Sequence, residues 1–334
     1  MILPGTDPSA IQAAAQALAR GELVGLPTET VYGLGADADN PTAVARVFAA
    51  KGRPSDHPLI VHVADASQAE RYAVNIPPVA RRLMAAHWPG PLTLILPRRP
   101  GVAEASAGGQ SSIGLRCPSH PVAQALLQAA QSLGVTGVSA PSANRFGRVS
   151  PTTAQHVQDE LGPDLLVLDG GACEVGIEST IVDCTRGHPV LLRPGVLTQD
   201  SLSTSGAERV LTEQVFAQLN TAPAAPRASG TLESHYAPAA RVHLVETSEL
   251  AALALQLSKE TQRHLHGVWS RSALELPEDV VWCAMPQDAR ECSHRLFAQL
   301  RAFDAQRLRH IWVEAPPPQP DWDGVRDRLA RAAA

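Results

Sequence analysis

The stretch from Leu26 to Val63, LPTETVYGLGADADNPTAVARVFAAKGRPSDHPLIVHV, constrains the fold most, because strand, loop, helix and strand signals follow one another in it without a gap. The apolar run Leu23 to Leu26 ends in Pro27-Thr28-Glu29-Thr30, a strand running into a hydroxyl-rich loop. Gly33 and Gly35 flank Leu34 and free the backbone for a tight turn or a close approach to a ligand. Asn40-Pro41 opens a helical pattern carried by Val44, Val47 and Phe48. Pro54 stops it after Lys51-Gly52-Arg53. Leu59-Ile60-Val61 then predicts a buried strand, with His57 and His62 on either side. Element ends thus carry Thr28, Thr30, Lys51, Arg53, His57 and His62, a mix suited to a small polyanion plus a polar metabolite. Cations at a helix end also complement the helix dipole, and a histidine beside a strand also serves packing. The clustering is what points to a site.

The same alternation continues. Helical patterns cover Ser9–Arg20, Pro41–Ala50, Pro77–Ala86, Pro121–Leu133 and Thr152–Glu160. Strand patterns cover Leu23–Leu26, Leu59–Val63, Leu92–Leu96, Ile113–Arg116, Gly137–Ser139, Leu165–Leu168, Thr180–Asp183 and Val190–Arg193. Short strands among helices predict a mixed α/β sheet. Helical stretches near Thr198 and over Ala207–Leu219 close this part. Residues 221–242, rich in Pro, Ala, Gly and Ser, read as a linker. A second alternation follows: strands Val242–Val245, His266–Trp269, Val280–Cys283 and His310–Val313, with helices Ser248–Leu257, Ala289–Phe303 and Trp322–Ala330. It predicts a smaller α/β domain of Rossmann-like layering, so the division is 1–220, a linker or lid at 221–240, and 241–334. A chain of 334 residues is consistent with two domains.

Composition excludes several classes. No stretch reaches the length of a membrane span, and Met1 to Arg20 reads as an alanine-rich amphipathic helix, not a signal peptide. The five cysteines are scattered without a CxxC, which argues against a zinc site or disulfide framework and fits a reduced, cytoplasmic protein. A formal net charge of −5 argues against a protein built mainly to grip nucleic acid, while leaving room for a local basic pocket.

No P-loop and no GxGxxG are present, so nucleotide phosphates must be held by side-chain cations and loop N–H groups. Lys51, Arg53, Arg116 and Arg193 lie on or beside loops, the last two at strand ends where α/β sheets collect ligand contacts. In SAPSAN, Ser142 and Asn144 follow Pro141 at a strand end; they suit phosphate, ribose or metal-bound water, or a plain turn. Ser150-Pro151-Thr152 also reads as the cap of the next helix. In Glu178-Ser179-Thr180, Ser179 is the residue expected to reach a cavity.

PTETVYGLGADA followed by KGRPSDHPLIVHV resembles the YrdC family of threonylcarbamoyl-AMP synthases, whose hallmark pairs Lys-x-Arg with a later Ser-x-Asn. Here these are Lys51/Arg53 and Ser142/Asn144. The resemblance continues through WPGPLTLIL, GLRCPSHP, ESTIVD and LLRPG, over the first two hundred residues or so, and through His235-Tyr236-Ala237-Pro238 in the linker of the two-domain form. It implies a twisted, open α/β sheet with a positively charged cavity. It implies condensation of L-threonine, bicarbonate or CO2, and ATP into threonylcarbamoyl-adenylate, with Mg2+ carried on the triphosphate and no dedicated metal ligands. The product would pass to a tRNA threonylcarbamoyl transferase. Carried over by position, Thr30, His62, Arg116, Ala140 (through its backbone) and Ser179 line the threonine and carbamate side. Lys51, Arg53, His57, Ser112, Ser142, Asn144, Ser150, Arg193 and Tyr236 line the ATP side, with Lys51 and Arg53 catalytic. The linker lacks the Tyr-Arg that often precedes His-Tyr in relatives, so it promises no extra cation for the site.

An RNA-binding module is the competing reading. The net acidity, the absence of RNP, KH or OB signatures, and only five Phe and three Tyr for base stacking weigh against it and against direct tRNA binding.

Overall fold

A computed structural model describes residues 1–219, 224–231 and 235–334. Parts of the expected linker, 220–223 and 232–234, lie outside the described residues. The larger sheet has eleven strands among the described residues. They are β1 (Ile2–Pro4), β2 (Val24–Leu26), β3 (Gly33–Asp37), β4 (Ile60–His62), β5 (Leu92–Pro97), β6 (Ser112–Arg116), β7 (Val138–Ser139), β8 (Leu166–Asp169), β9 (Thr180–Asp183), β10 (Val190–Arg193) and β11 (Leu211–Thr212). Their order is β1-β8-β2-β3-β7-β4-β6-β5-β9-β10-β11, an open sheet mixing parallel and antiparallel pairs. The second sheet, in the order β12-β15-β13-β14, is parallel throughout, with β12 at Arg241–Val245, β13 at His266–Ser270, β14 at Val281–Ala284 and β15 at His310–Glu314.

The helix Pro41–Lys51 starts where Asn40 accepts from the N–H groups of Thr42 and Ala43, and ends at Gly52 with φ +62°. That stop aims Lys51 and Arg53 at the sheet. Three sequence expectations need correction. Met1–Pro4 is not helical: Ile2–Pro4 pairs with β8, and the helix begins at Pro8 behind an Asp7 cap. Gly33 and Gly35 belong to a strand; a Cβ on Gly35 would stand 2.9 Å from Leu26 Cδ2, so these glycines let neighbouring strands close up. The helix expected near Thr198 is present as Gln199–Gly206, but the one expected over Ala207–Leu219 is the strand β11 and a turn of helix at Glu213–Phe216 capped by Thr212.

Loop residues of the larger domain share a core with the smaller one. Val31, Val149, Ile177 and Tyr236 pack with Leu296, Phe297 and Leu300 of the helix Ala289–Ala305 and with Val325 and Leu329 of the helix Asp323–Ala333. Burying each such side chain contributes about 1.5–3 kcal/mol. Gly176 and Gly324 permit the approach: a Cβ on Gly176 would meet Ser293 O at 2.5 Å, and one on Gly324 would meet Gly195 O at 2.7 Å. Among the described residues no helix is long and apolar enough to cross a membrane.

Candidate active site

The strands β4, β6 and β10, the loops after β2 and β7, the turn after the helix Pro41–Lys51 and the segment leading into β9 converge on one cavity. Of the residues singled out from sequence, Thr30, Arg53, His62, Arg116, Ala140, Ser142, Ser179, Arg193 and Tyr236 line it. Lys51, His57, Ser112, Asn144 and Ser150 do not.

One wall is a hydroxyl cluster. Thr28 Oγ1 donates to Val31 O at 2.6 Å and lies 2.9 Å from Thr30 Oγ1. Arg116 Nη1 donates to Thr30 Oγ1 at 2.7 Å, and its Nη2 sits 2.7 Å from Glu29 Oε1 in a buried ion pair. Glu29 therefore already balances the Arg116 charge, and Arg116 offers directed N–H groups more than net charge. His62 faces the same wall; burial first, then Arg116, lower its pKa to about 3, so it is neutral.

A second group of lining side chains is cationic. Arg193 donates through Nε and Nη2 to Ser179 O, and Nη2 lies 3.2 Å from Ser179 Oγ. Ser179 Oγ also lies 2.7 Å from Thr93 Oγ1. Arg53 Nη2 donates to Pro58 O at 3.0 Å, and its buried Nε has no hydrogen-bond partner. Among the described residues neither Arg53 nor Arg193 has a carboxylate partner. Burial lowers both pKa values, that of Arg53 to about 10. Desolvated cations with no carboxylate in ion-pair contact suit an anion, although Glu178, which lines the same cavity, acts on Arg193 from further off.

Lys51 was expected at the phosphates. Its Nζ instead donates to the carbonyls of Ser142, at 2.5 Å, and Asn144. The Lys-x-Arg and Ser-x-Asn motifs are thus joined directly: the lysine holds the backbone that presents Ser142. Burial, then the Arg53 charge, lower the Lys51 pKa to about 7. Asn144 spends its amide N–H groups on Arg145 O and Arg148 O, while its buried Oδ1 is unpartnered. Ser150 donates to Glu178 Oε1 rather than facing the cavity. His57 stands edge-on to Phe146, 5.6 Å between ring centres, at the rim. Ser112, at the start of β6, is buried outside the lining.

The linker closes the mouth. Arg227 pairs with Asp56 at 2.6 Å and donates its backbone N–H to Gln110 Oε1. Ser229 Oγ donates to Pro58 O, and Ser229 O accepts from Arg193 Nη1 at 2.8 Å. Tyr236, with φ +62° and 1% exposure, lies against His235 and Phe297, its Oη unpartnered. Arg227 of the linker is outside the cavity lining and pairs with Asp56. Sequence reasoning passed over Glu178, Ser229 and Gly230, which line the cavity, and Arg328, which pairs with Glu178 at 2.8 Å. The ESTIVD segment signalled only the first of these.

Comparison with known proteins agrees with this architecture. A family model described as "Telomere recombination" (Sua5_yciO_yrdC) matches residues 16–195, and one described as "Threonylcarbamoyl-AMP synthase, C-terminal domain" matches residues 201–334. The threonylcarbamoyl-AMP synthase of Bacillus subtilis is 37% identical, the alignment covering 99% of this chain and 94% of that protein. That of Schizosaccharomyces pombe is 35% identical, with 100% and 90% covered. The crystal structure of Pyrococcus abyssi Sua5 complexed with L-threonine superposes with a TM-score of 0.87 at 33% identity, covering 98% of this chain and 95% of that one. With both of its sheets and its closing linker accounted for, this chain belongs to the Sua5/YrdC family, in the two-domain form whose relatives bear the name threonylcarbamoyl-AMP synthase.

Proposed function

We propose that the chain condenses L-threonine, bicarbonate or CO2, and ATP into L-threonylcarbamoyl-adenylate with release of pyrophosphate, the first step of tRNA threonylcarbamoyladenosine modification. The observation that carries this reading is one cavity lined both by a hydroxyl and arginine cluster and by Arg53 and Arg193, which form no ion pair with a carboxylate among the described residues. The first wall, with Thr30, Arg116 and the neutral His62, suits the threonine carboxylate and amine and the nascent carbamate. The second suits a triphosphate.

The threonine amine adds to CO2 and loses a proton, giving a carbamate. A carbamate oxygen then attacks the ATP α-phosphorus, and the α–β bridging oxygen leaves with pyrophosphate. Such a transfer needs positioning and charge neutralisation rather than a protein nucleophile. Arg53 and Arg193 neutralise charge, and Ser142, held through Lys51, positions. Among the described residues no group of three or more His, Cys, Asp or Glu is arranged to hold a metal. Mg2+ enters as substrate, carried on the triphosphate. Tyr236 and Ser229 cover the mouth, which excludes water from the labile carbamate and mixed anhydride. A cytoplasmic setting, and transfer of the product to a tRNA threonylcarbamoyl transferase, complete the proposal.

Mass spectrometry of products from ATP, bicarbonate and L-threonine tests it. Threonylcarbamoyl-adenylate and pyrophosphate, both dependent on threonine, are expected. ADP formed without threonine dependence would sink it.

A further inference from the structure

The site wall formed by Glu178 and Ser179, with Ser150 bonded to Glu178 behind it, is braced by the second domain. Arg328 lies on the helix Asp323–Ala333 and is fully buried. It donates through Nε to Glu178 Oε2 at 2.8 Å, through Nη2 to Glu178 O at 3.1 Å, and through Nη1 to Pro194 O at 2.8 Å. Its guanidinium carbon stands 5.3 Å from the centre of the Tyr236 ring. One planar fork therefore touches the segment entering β9, the turn after β10, and the linker tyrosine. A lysine could not reach these acceptors together. Arg301 of the helix Ala289–Ala305 reinforces the same wall, donating to Val149 O and Ser150 O.

Glu178 is the group that needs this brace. It lines the cavity and is 6% exposed. Burial alone would raise its pKa; Arg328, then Arg193 and the Ser150 hydroxyl, outweigh burial and hold it below the ordinary carboxylate range. An uncompensated carboxylate there would repel a polyanion and draw Arg193 away from Ser179.

We propose that Arg328 is a positioning residue for the synthase site: it neutralises and fixes Glu178, keeps Ser150 and Ser179 in place, and supports Tyr236 from beneath. The inference rests on the synthase reading above. It gives the second domain a defined part in catalysis by the first.

The test compares full-length wild type, Arg328→Met, Arg328→Lys and Glu178→Gln/Arg328→Met for threonine-dependent pyrophosphate release across pH 6 to 8.5. Arg328→Met should lose about tenfold to a hundredfold in kcat/KM, the scale of a lost charged hydrogen bond. Arg328→Lys should recover only part. The charged or titratable groups facing Glu178 are Lys51, Arg193, His235, Tyr236, Asp327 and Arg328. Arg328 is replaced in both the single and the double variant, and the other groups are common to the two, so only residue 178 differs between them. The KM for ATP of Arg328→Met should therefore rise with pH relative to the double variant, as the unpaired carboxylate ionises towards the triphosphate. A merely structural arginine would lower both variants alike without that pH difference. Wild-type kcat/KM in Arg328→Met, or coincident pH profiles for the two variants, overturns the inference. If Arg328→Met fails to fold while the double variant folds, Arg328→Lys takes its place in the pH comparison. If wild type itself releases no threonine-dependent pyrophosphate, the synthase reading fails. The brace is then judged by whether ATP raises the melting temperature of the single variant less than that of the double as pH rises.

Discussion

ATP binding should pull a proton onto Lys51. In the ligand-free protein burial, then the Arg53 charge, hold this lysine near 7, well below its usual 10.5. A triphosphate in the cationic half of the cavity supplies the missing negative charge and favours the ammonium form. At pH 8 a group with a pKa of about 7 is only about one-tenth protonated. Binding that restores full protonation therefore takes up about 0.9 proton, whereas at pH 6 uptake shrinks to about 0.1. By linkage, ATP affinity should fall about tenfold between pH 8 and 9. The same shift fixes a stability slope. The folded pKa lies below the unfolded one, so the unfolded chain binds more protons between about 7 and 10.5, and the Lys51 contribution to stability grows with pH across that window. Isothermal titration calorimetry with MgATP in phosphate and in Tris at pH 8 reads the uptake directly, because the two buffers differ in ionisation enthalpy. Lys51→Met should abolish the buffer difference. Equal enthalpies in both buffers for wild type, with a flat pH dependence of Kd, would falsify the reasoning: Lys51 would then be charged throughout, held so by the Ser142 and Asn144 carbonyls.

Arg53→Ala should cost about 2–4 kcal/mol of transition-state stabilisation with little loss of fold, because among the described residues its side chain bonds just Pro58 O and Ser229 Oγ; near-normal turnover would demote it to a helix-end cation. Serine in place of threonine should lose about 1–3 kcal/mol in kcat/KM, the worth of one methyl group in a pocket, and equal use of both would argue against a shaped amino-acid subsite. Tyr236→Ala should lower product formed per ATP consumed more than it weakens threonine binding, and protease cleavage within residues 225–231 should slow when ATP and threonine are both present. Normal yield together with unchanged cleavage would leave the segment a passive tether.

Much of the larger domain was legible because its signals are local. The Asn40 cap and the Gly52 stop are written in adjacent residues, and the runs at Leu92, Thr180 and Val190 became β5, β9 and β10. Gly33 and Gly35 misled because glycine reads the same whether a turn or a neighbouring strand demands it; the deciding atoms, Leu26 Cδ2 and Val138 Cγ1, belong to other strands. Lys51 was identified from its motif, but its bonds to the Ser142 and Asn144 carbonyls were not, since those carbonyls have no sequence signature. Arg328 was invisible because DGVRDRLARAA is an ordinary amphipathic helix, and its partner Glu178 is 150 residues away.

The pairing of β1 with β8 bears on how the molecule is assembled. Ile2–Pro4 lies beside Val167–Asp169, and β2 also pairs with β8. Closing a loop of about 165 residues costs on the order of 4–5 kcal/mol of chain entropy, so this edge cannot lead folding. During synthesis the first strand must wait, its backbone unpaired, until β8 has left the ribosome, while the neighbouring antiparallel pair β5 and β6 can already form. The aggregation-prone interval of a nascent chain therefore ends only when Asp169 is clear of the exit tunnel, and slowing translation before that point should lower soluble yield more than slowing it afterwards.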